Sequence, residues 1–138
     1  MRLTFILIAT IALMGLGSAA SPDSRSPAAS PTTIEVEMGE FRFRPAVIHL
    51  EAGRYTTLQF VNRGQLAHQV ETVAFRRLPM TIVDPQSHIE TPGLEILRLQ
   101  PGAAATLRFT PRVRGRFRFA CTIEGHQEAG MTGVLEVR

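Results

Sequence analysis

The chain has 138 residues, 44% of them hydrophobic and 20% charged, with a formal net charge of +3. That length suits one domain with its own core once a leader and a tether are set aside, and so small a charge is no electrostatic footprint for nucleic acid. A single cysteine excludes any disulfide within the chain.

Arg2 is followed by "LTFILIATIALMGLG" and then by the small residues Ser18, Ala19 and Ala20. A short basic start, an apolar run and small residues form the pattern of a secretory signal peptide. The run is shorter than the roughly 20 residues a membrane-spanning helix needs, so residues 1–20 are expected to be cleaved. Export to the periplasm or beyond follows, with membrane association only if that segment stays uncleaved. Residues 21–33, "SPDSRSPAASPTT", are rich in Pro, Ser and Ala and read as an extended, disordered linker. Residues 34–138 then form the one folded domain.

Taken in chain order, the domain reads as strands: "TIEVEM", "AVIHL", "YTTLQFVN", "HQVETV", "LEILRL", "AATLRFT", "GRFRFAC" and "GVLEVR". They are short, rich in β-branched and aromatic residues, and punctuated by Pro45, Gly53, Gly64, Gly102, Pro111 and Gly115. No segment repeats with a helical period. About eight such strands predict an all-β, antiparallel two-sheet Greek-key sandwich.

Strand parity assigns faces. Arg112, Arg114, Arg116 and Arg118 fall on one side of "RVRGRFRFAC", while Phe117, Phe119 and Cys121 fall on the other. The aromatic side is the core side, so Cys121 points inward at the strand's end. By the same rule Leu58, Phe60, Leu107, Phe109, Leu135 and Val137 point inward.

A lone buried cysteine is often no more than a small hydrophobe. Its neighbours here suggest more. An exported thiol must be buried or metal-bound to escape oxidation. His126 and Met131 follow Cys121 on a loop containing Gly125 and Gly130, which can fold back so that the three side chains converge. Thiolate, imidazole and a weak axial thioether are donors that suit copper. His68, where one strand-like run meets the next, supplies the second imidazole. His49 sits between inward residues and is expected to face solvent.

Two stretches carry a family resemblance. "FRFRPAVIHLEAGRYTTLQFVNRGQLAH" and "LQPGAAATLRFTPRVRGRFRFACTIEGHQEAGMTGVLEV" resemble the cupredoxins, small single-domain blue copper proteins of the plastocyanin/azurin group. The match lies in the Asn-x-Gly approach to a first His and in the Cys-x4-His-x4-Met ending. It implies one mononuclear copper ion held by His68, Cys121 and His126, with Met131 axial. Glu124-Gly125-His126 stands where the family often has Pro-Gly-His. Gln69 stands where it often has an Asn that ties two ligand loops together. Residues 74–93 align with little; within them Met80 is expected in the core and His88 on an exposed loop, with an extra weak metal site as the alternative.

The expected function is one-electron shuttling between protein partners that dock near His126. The patch there comprises Gly64, Leu66, Ala67 and Ala129, with Arg63 and Glu124 at its rim. A monomer, no small-molecule substrate and no enzymatic activity are expected, since the His-x-His pairs of multicopper enzymes are absent from the sequence. The alternatives are a copper carrier or resistance protein using the same ligands, and a cupredoxin-like binding module without a redox role.

Overall fold

A computed structural model describes residues 32–138. The expected signal segment and all but the last two residues of the expected linker lie outside the described residues. Eleven strands and no helix are found among the described residues: β1 (Thr32–Gly39), β2 (Arg42–Arg44), β3 (Val47–Leu50), β4 (Thr56–Asn62), β5 (His68–Glu71), β6 (Met80–Val83), β7 (His88–Thr91), β8 (Ile96–Leu99), β9 (Ala104–Phe109), β10 (Gly115–Ala120) and β11 (Thr132–Val137). β1 begins two residues before the expected domain start, because Thr32 and Thr33 pair with Thr56 and Thr57.

Two sheets face each other. One runs β2-β1-β4-β9-β6-β7 and the other β3-β11-β10-β5-β8. The sandwich is therefore all-β as expected, and its sheets are mixed: β1 runs parallel to β4, and β3 parallel to β11. Parallel pairing joins residues far apart in sequence, so the local pattern that marks a strand carries no trace of it. All eight strand-like runs form strands. The three further strands are β2, only three residues long, and the β6–β7 hairpin.

That hairpin corrects the reading of residues 74–93 as a loop. β7 shows exposed residues on both faces, so it lacks the alternation by which a strand is recognised. Met80 is buried in the core and His88 is exposed, as expected. Register sets them at opposite ends of the hairpin, Met80 against Thr91 and His88 against Val83.

The core forms where the two inward faces meet. Leu58, Phe60, Leu107, Phe119 and Leu135 are each at most 1% exposed, and burying one such side chain contributes about 1.5–3 kcal/mol. Phe43 stands edge-on to Phe119 with ring centroids 4.9 Å apart. Gly133 lies across from Phe119 in the β10–β11 ladder. A side chain there would strike the Phe119 ring and the Ala46 carbonyl, so the close fit of these strands requires glycine. Arg112, Arg114, Arg116 and Arg118 are exposed, as parity predicts.

Four strand ends meet at one end of the sandwich. β10 and β11 pair as far as Ala120 opposite Thr132, which leaves Cys121 and Met131 facing each other just beyond the last rung. β4 ends at Asn62 and β5 begins at His68 beside them.

Candidate metal centre

The loop between β10 and β11 is closed by its own backbone. Cys121 N–H donates to Met131 O at 3.0 Å, and Met131 N–H donates to His126 O at 3.0 Å. Gly125 and Gly130, with φ of 79° and 101°, make the left-handed turns this path requires. The result folds His126 back over Cys121, as the two glycines predict. Cys121 and Met131 are fully buried and His126 is 7% exposed.

His68 is positioned by the loop before β5. Asn62, fully buried, donates from Nδ2 to Leu66 O at 2.9 Å and to Leu99 O at 3.0 Å, and its Oδ1 accepts from Gly64 N–H at 2.9 Å. These three bonds explain the Asn-x-Gly signature: the amide serves as a template for the turn. Glu40, from the β1–β2 turn, accepts at Oε1 from Gln65 N–H at 2.5 Å and Leu66 N–H at 3.2 Å.

The side chains converge. His68 Nδ1 lies 3.2 Å from His126 Nδ1, which lies 3.3 Å from Cys121 Sγ. The donor atoms of His68, Cys121 and His126 all lie within 4.8 Å of one another. Metal arms of about 2.0 Å to nitrogen and 2.3 Å to sulfur are long enough to reach donors separated by these distances, so the residues fit a single ion. Met131 is clipped by its backbone to both loop residues of the cluster, and its side chain is fully buried. His49 is exposed on β3 and pairs with Glu136 at 3.1 Å, apart from the cluster. His88 also stands outside it.

Around the donors the chain supplies orientation. Gln69 N–H donates to Cys121 Sγ at 3.4 Å. The Gln69 side chain donates to Thr122 Oγ1 at 2.6 Å, and Thr122 donates on to Glu71 at 3.1 Å. The longer Gln thus ties the His68 strand to the Cys121 loop. Glu124 is exposed.

The electrostatics favour neutral imidazole at His68. Burial pushes its pKa below the ordinary 6.5, the nearby His126 adds to this, and Glu40 opposes it. Glu40 itself is held below the usual carboxylate range by the N–H groups of Gln65 and Leu66, with a smaller contribution from His68. Its Oε1 is 3.8 Å from His68 Nε2. Phe41, in the left-handed region at φ 60°, sets its ring edge-on to His126 with centroids 5.2 Å apart. Sequence reasoning passed over Glu40 and Phe41. They come from the β1–β2 turn, and no spacing links that turn to the ligand loops.

A sandwich with a buried imidazole–thiolate–imidazole cluster at one end defines a small mononuclear copper protein, and one copper ion is its metal. The chain belongs to the cupredoxin-like domain family, whose profile matches residues 5–135. It is similar to the copper-resistant cuproprotein CopI of Rubrivivax gelatinosus, at 30% identity over 112 residues. That match covers 77% of this chain and 66% of the relative's length, so the chain spans about two thirds of that protein. It is also similar to the copper-resistant cuproprotein CopI of Pseudomonas aeruginosa, at 25% identity, covering 96% of this chain and 94% of the relative. Among solved structures, the reduced auracyanin of Roseiflexus castenholzii superposes with a TM-score of 0.56 at 23% identity. It covers 78% of this chain and 97% of the auracyanin, a likeness of fold.

Proposed function

We propose that this chain is an exported copper protein that passes single electrons between protein partners, in which His68, Cys121 and His126 would hold the metal and the Met131 thioether would serve as a further, weak ligand. Copper supplies the one-electron couple. The observation that carries the reading is the spacing of the donors, 3.2 and 3.3 Å, with Cys121 and His126 on a loop closed by its own backbone hydrogen bonds. A site already at metal spacing needs little rearrangement between oxidation states. His68 stands on β5 and Met131 leads directly into β11, so both are held by sheet ladders. Cys121 is sealed from water, which guards its thiol against oxidation.

Electrons would leave through the surface beside His126, where Phe41 and Leu66 are 40% and 46% exposed and Ala129 is also exposed. Such an apolar patch suits brief docking. The test is the visible spectrum of oxidised, copper-loaded protein. Intense thiolate-to-copper charge transfer that vanishes in Cys121→Ser supports the reading; a colourless cupric complex rejects it.

A second reading, a copper carrier acting in copper resistance, is favoured by the names of the two CopI relatives. It uses the same ligands and differs in what happens on reduction. A shuttle keeps its metal through repeated oxidation and reduction, whereas a carrier surrenders cuprous copper. Competition with a cuprous chelator at neutral pH separates them, and rapid loss on reduction decides for the carrier.

A further inference from the structure

We infer that Glu40 is a positioning residue for the copper site: its carboxylate serves as the outer acceptor for Nε2–H of His68, keeps Nδ1 turned toward Cys121 and His126, and draws the reduction potential downward. The inference rests on the copper reading above and adds to it a residue that belongs to neither ligand loop.

Three observations converge on it. The first is an unmet need. His68 is fully buried, its Nδ1 faces His126, and its Nε2 has no hydrogen-bond partner. A ring that binds metal through one nitrogen carries its proton on the other, and that N–H must be satisfied. The second is a poised acceptor. Glu40 is the one carboxylate within ion-pair distance of His68 among the described residues, at 3.8 Å, and two backbone N–H donors fix the oxygen concerned. The third is reserved space. Gly64 has no left-handed φ that would call for glycine, yet a Cβ there would run into Glu40 Oε1 and lie 3.0 Å from His68 Nε2. The missing side chain is what lets carboxylate and imidazole approach each other past the loop.

The chemistry follows from charge. A carboxylate behind a metal-bound imidazole fixes the ring's tautomer and makes the nitrogen facing the metal a better donor. A better donor, with a negative charge close by, favours cupric over cuprous copper. Glu40 thus opposes the burial of the site and the neutral thioether of Met131, which favour the less charged reduced state. Its side chain is 43% exposed, so solvent damps the effect, and the lower end of the 10–100-fold range for such partners applies.

The experiment compares wild type with Glu40→Gln and Glu40→Ala. The Gln variant can still accept from Gln65 and Leu66 and loses only the charge. Its expected midpoint potential is higher, by the equivalent of a tenfold loss of cupric-over-cuprous preference, or about 59 mV for a one-electron couple. The Ala variant should rise at least as far. In the metal-free protein, ring 15N NMR should find His68 protonated at Nε2 in wild type, with that preference weakened in Glu40→Ala. Equal potentials in all three proteins, with an unchanged tautomer, would show that Glu40 only pins the loop and would overturn the inference. Failure of wild type to form a coloured cupric complex would reject the copper reading instead, and the metal-free tautomer measurement would still decide the role of Glu40.

Discussion

Replacing Asn62 with Ala should destabilise the metal-free protein by about 3–5 kcal/mol, although Asn62 touches no metal. The side chain is fully buried and makes three hydrogen bonds, to Leu66 O, Leu99 O and Gly64 N–H. A net hydrogen bond is worth about 1 kcal/mol, and a buried group left without its partner costs about 1–3 kcal/mol. The Leu99 carbonyl is in the buried interior, while the two loop groups are partly buried and can find water. One orphaned buried group plus two weakened ones gives the stated range. For a domain of this size, roughly 4 °C per kcal/mol implies a Tm lower by about 12–20 °C. Urea unfolding of the metal-free protein should show a lower midpoint at unchanged slope, the mark of a stability change without altered compactness. Asn62→Asp provides a sharper comparison. A carboxylate still accepts from Gly64 N–H but faces the carbonyl oxygens of Leu66 and Leu99, so it should be at least as damaging as Ala. A loss below about 1 kcal/mol for Ala, or a well-tolerated Asp, would refute the template role assigned to Asn62.

Gly133→Ala should destabilise by about 1–3 kcal/mol, the usual cost of overpacking, because the new methyl meets the Phe119 ring and the Ala46 carbonyl; chemical denaturation measures it. Stability of the metal-free protein should fall as pH drops through about 6.5, where the unfolded His68 gains a proton that burial denies the folded one. Glu40, Asp84 and Glu136 all titrate below their ordinary carboxylate values and add nothing in that window. Urea midpoints between pH 8 and pH 5 should therefore decline in wild type and decline less in His68→Gln. For docking, Leu66→Asp and Ala129→Asp should slow electron transfer strongly with the visible spectrum intact, whereas Arg114→Ser should change the rate little. Stopped-flow kinetics with a small redox protein tests this. Arg114 is a cleaner control than Arg116, whose side chain pairs with Glu136.

The sequence by itself determined the strands that alternate and the faces they present. Leu58 and Phe60 flank Gln59, Leu107 and Phe109 flank Arg108, and Phe117 and Phe119 flank Arg118, and the two-residue period of a strand converts that directly into an inward face. It also made three candidate donors legible, His68, Cys121 and His126, which the fold brings together. Cys121, His126 and Met131 lie on one short loop, where two glycines permit the return, and a local path needs no knowledge of the rest of the fold. His68 was legible because Asn62 and Gly64 bracket its turn. Tertiary structure alone decided what depends on elements meeting across the sandwich. The parallel β1–β4 and β3–β11 pairs join segments whose patterns say nothing about direction. β7 leaves residues of both faces exposed, Ile89 among them, so its burial follows no two-residue period. The reach of Gln69 to Thr122 depends on how two loops are set side by side, which no spacing within either loop records. Glu40 and Phe41 read as an ordinary exposed turn in sequence. Only the packing of β1 against β4 brings that turn over His68 and His126, because contacts between distant segments are fixed by the whole core and by no local pattern.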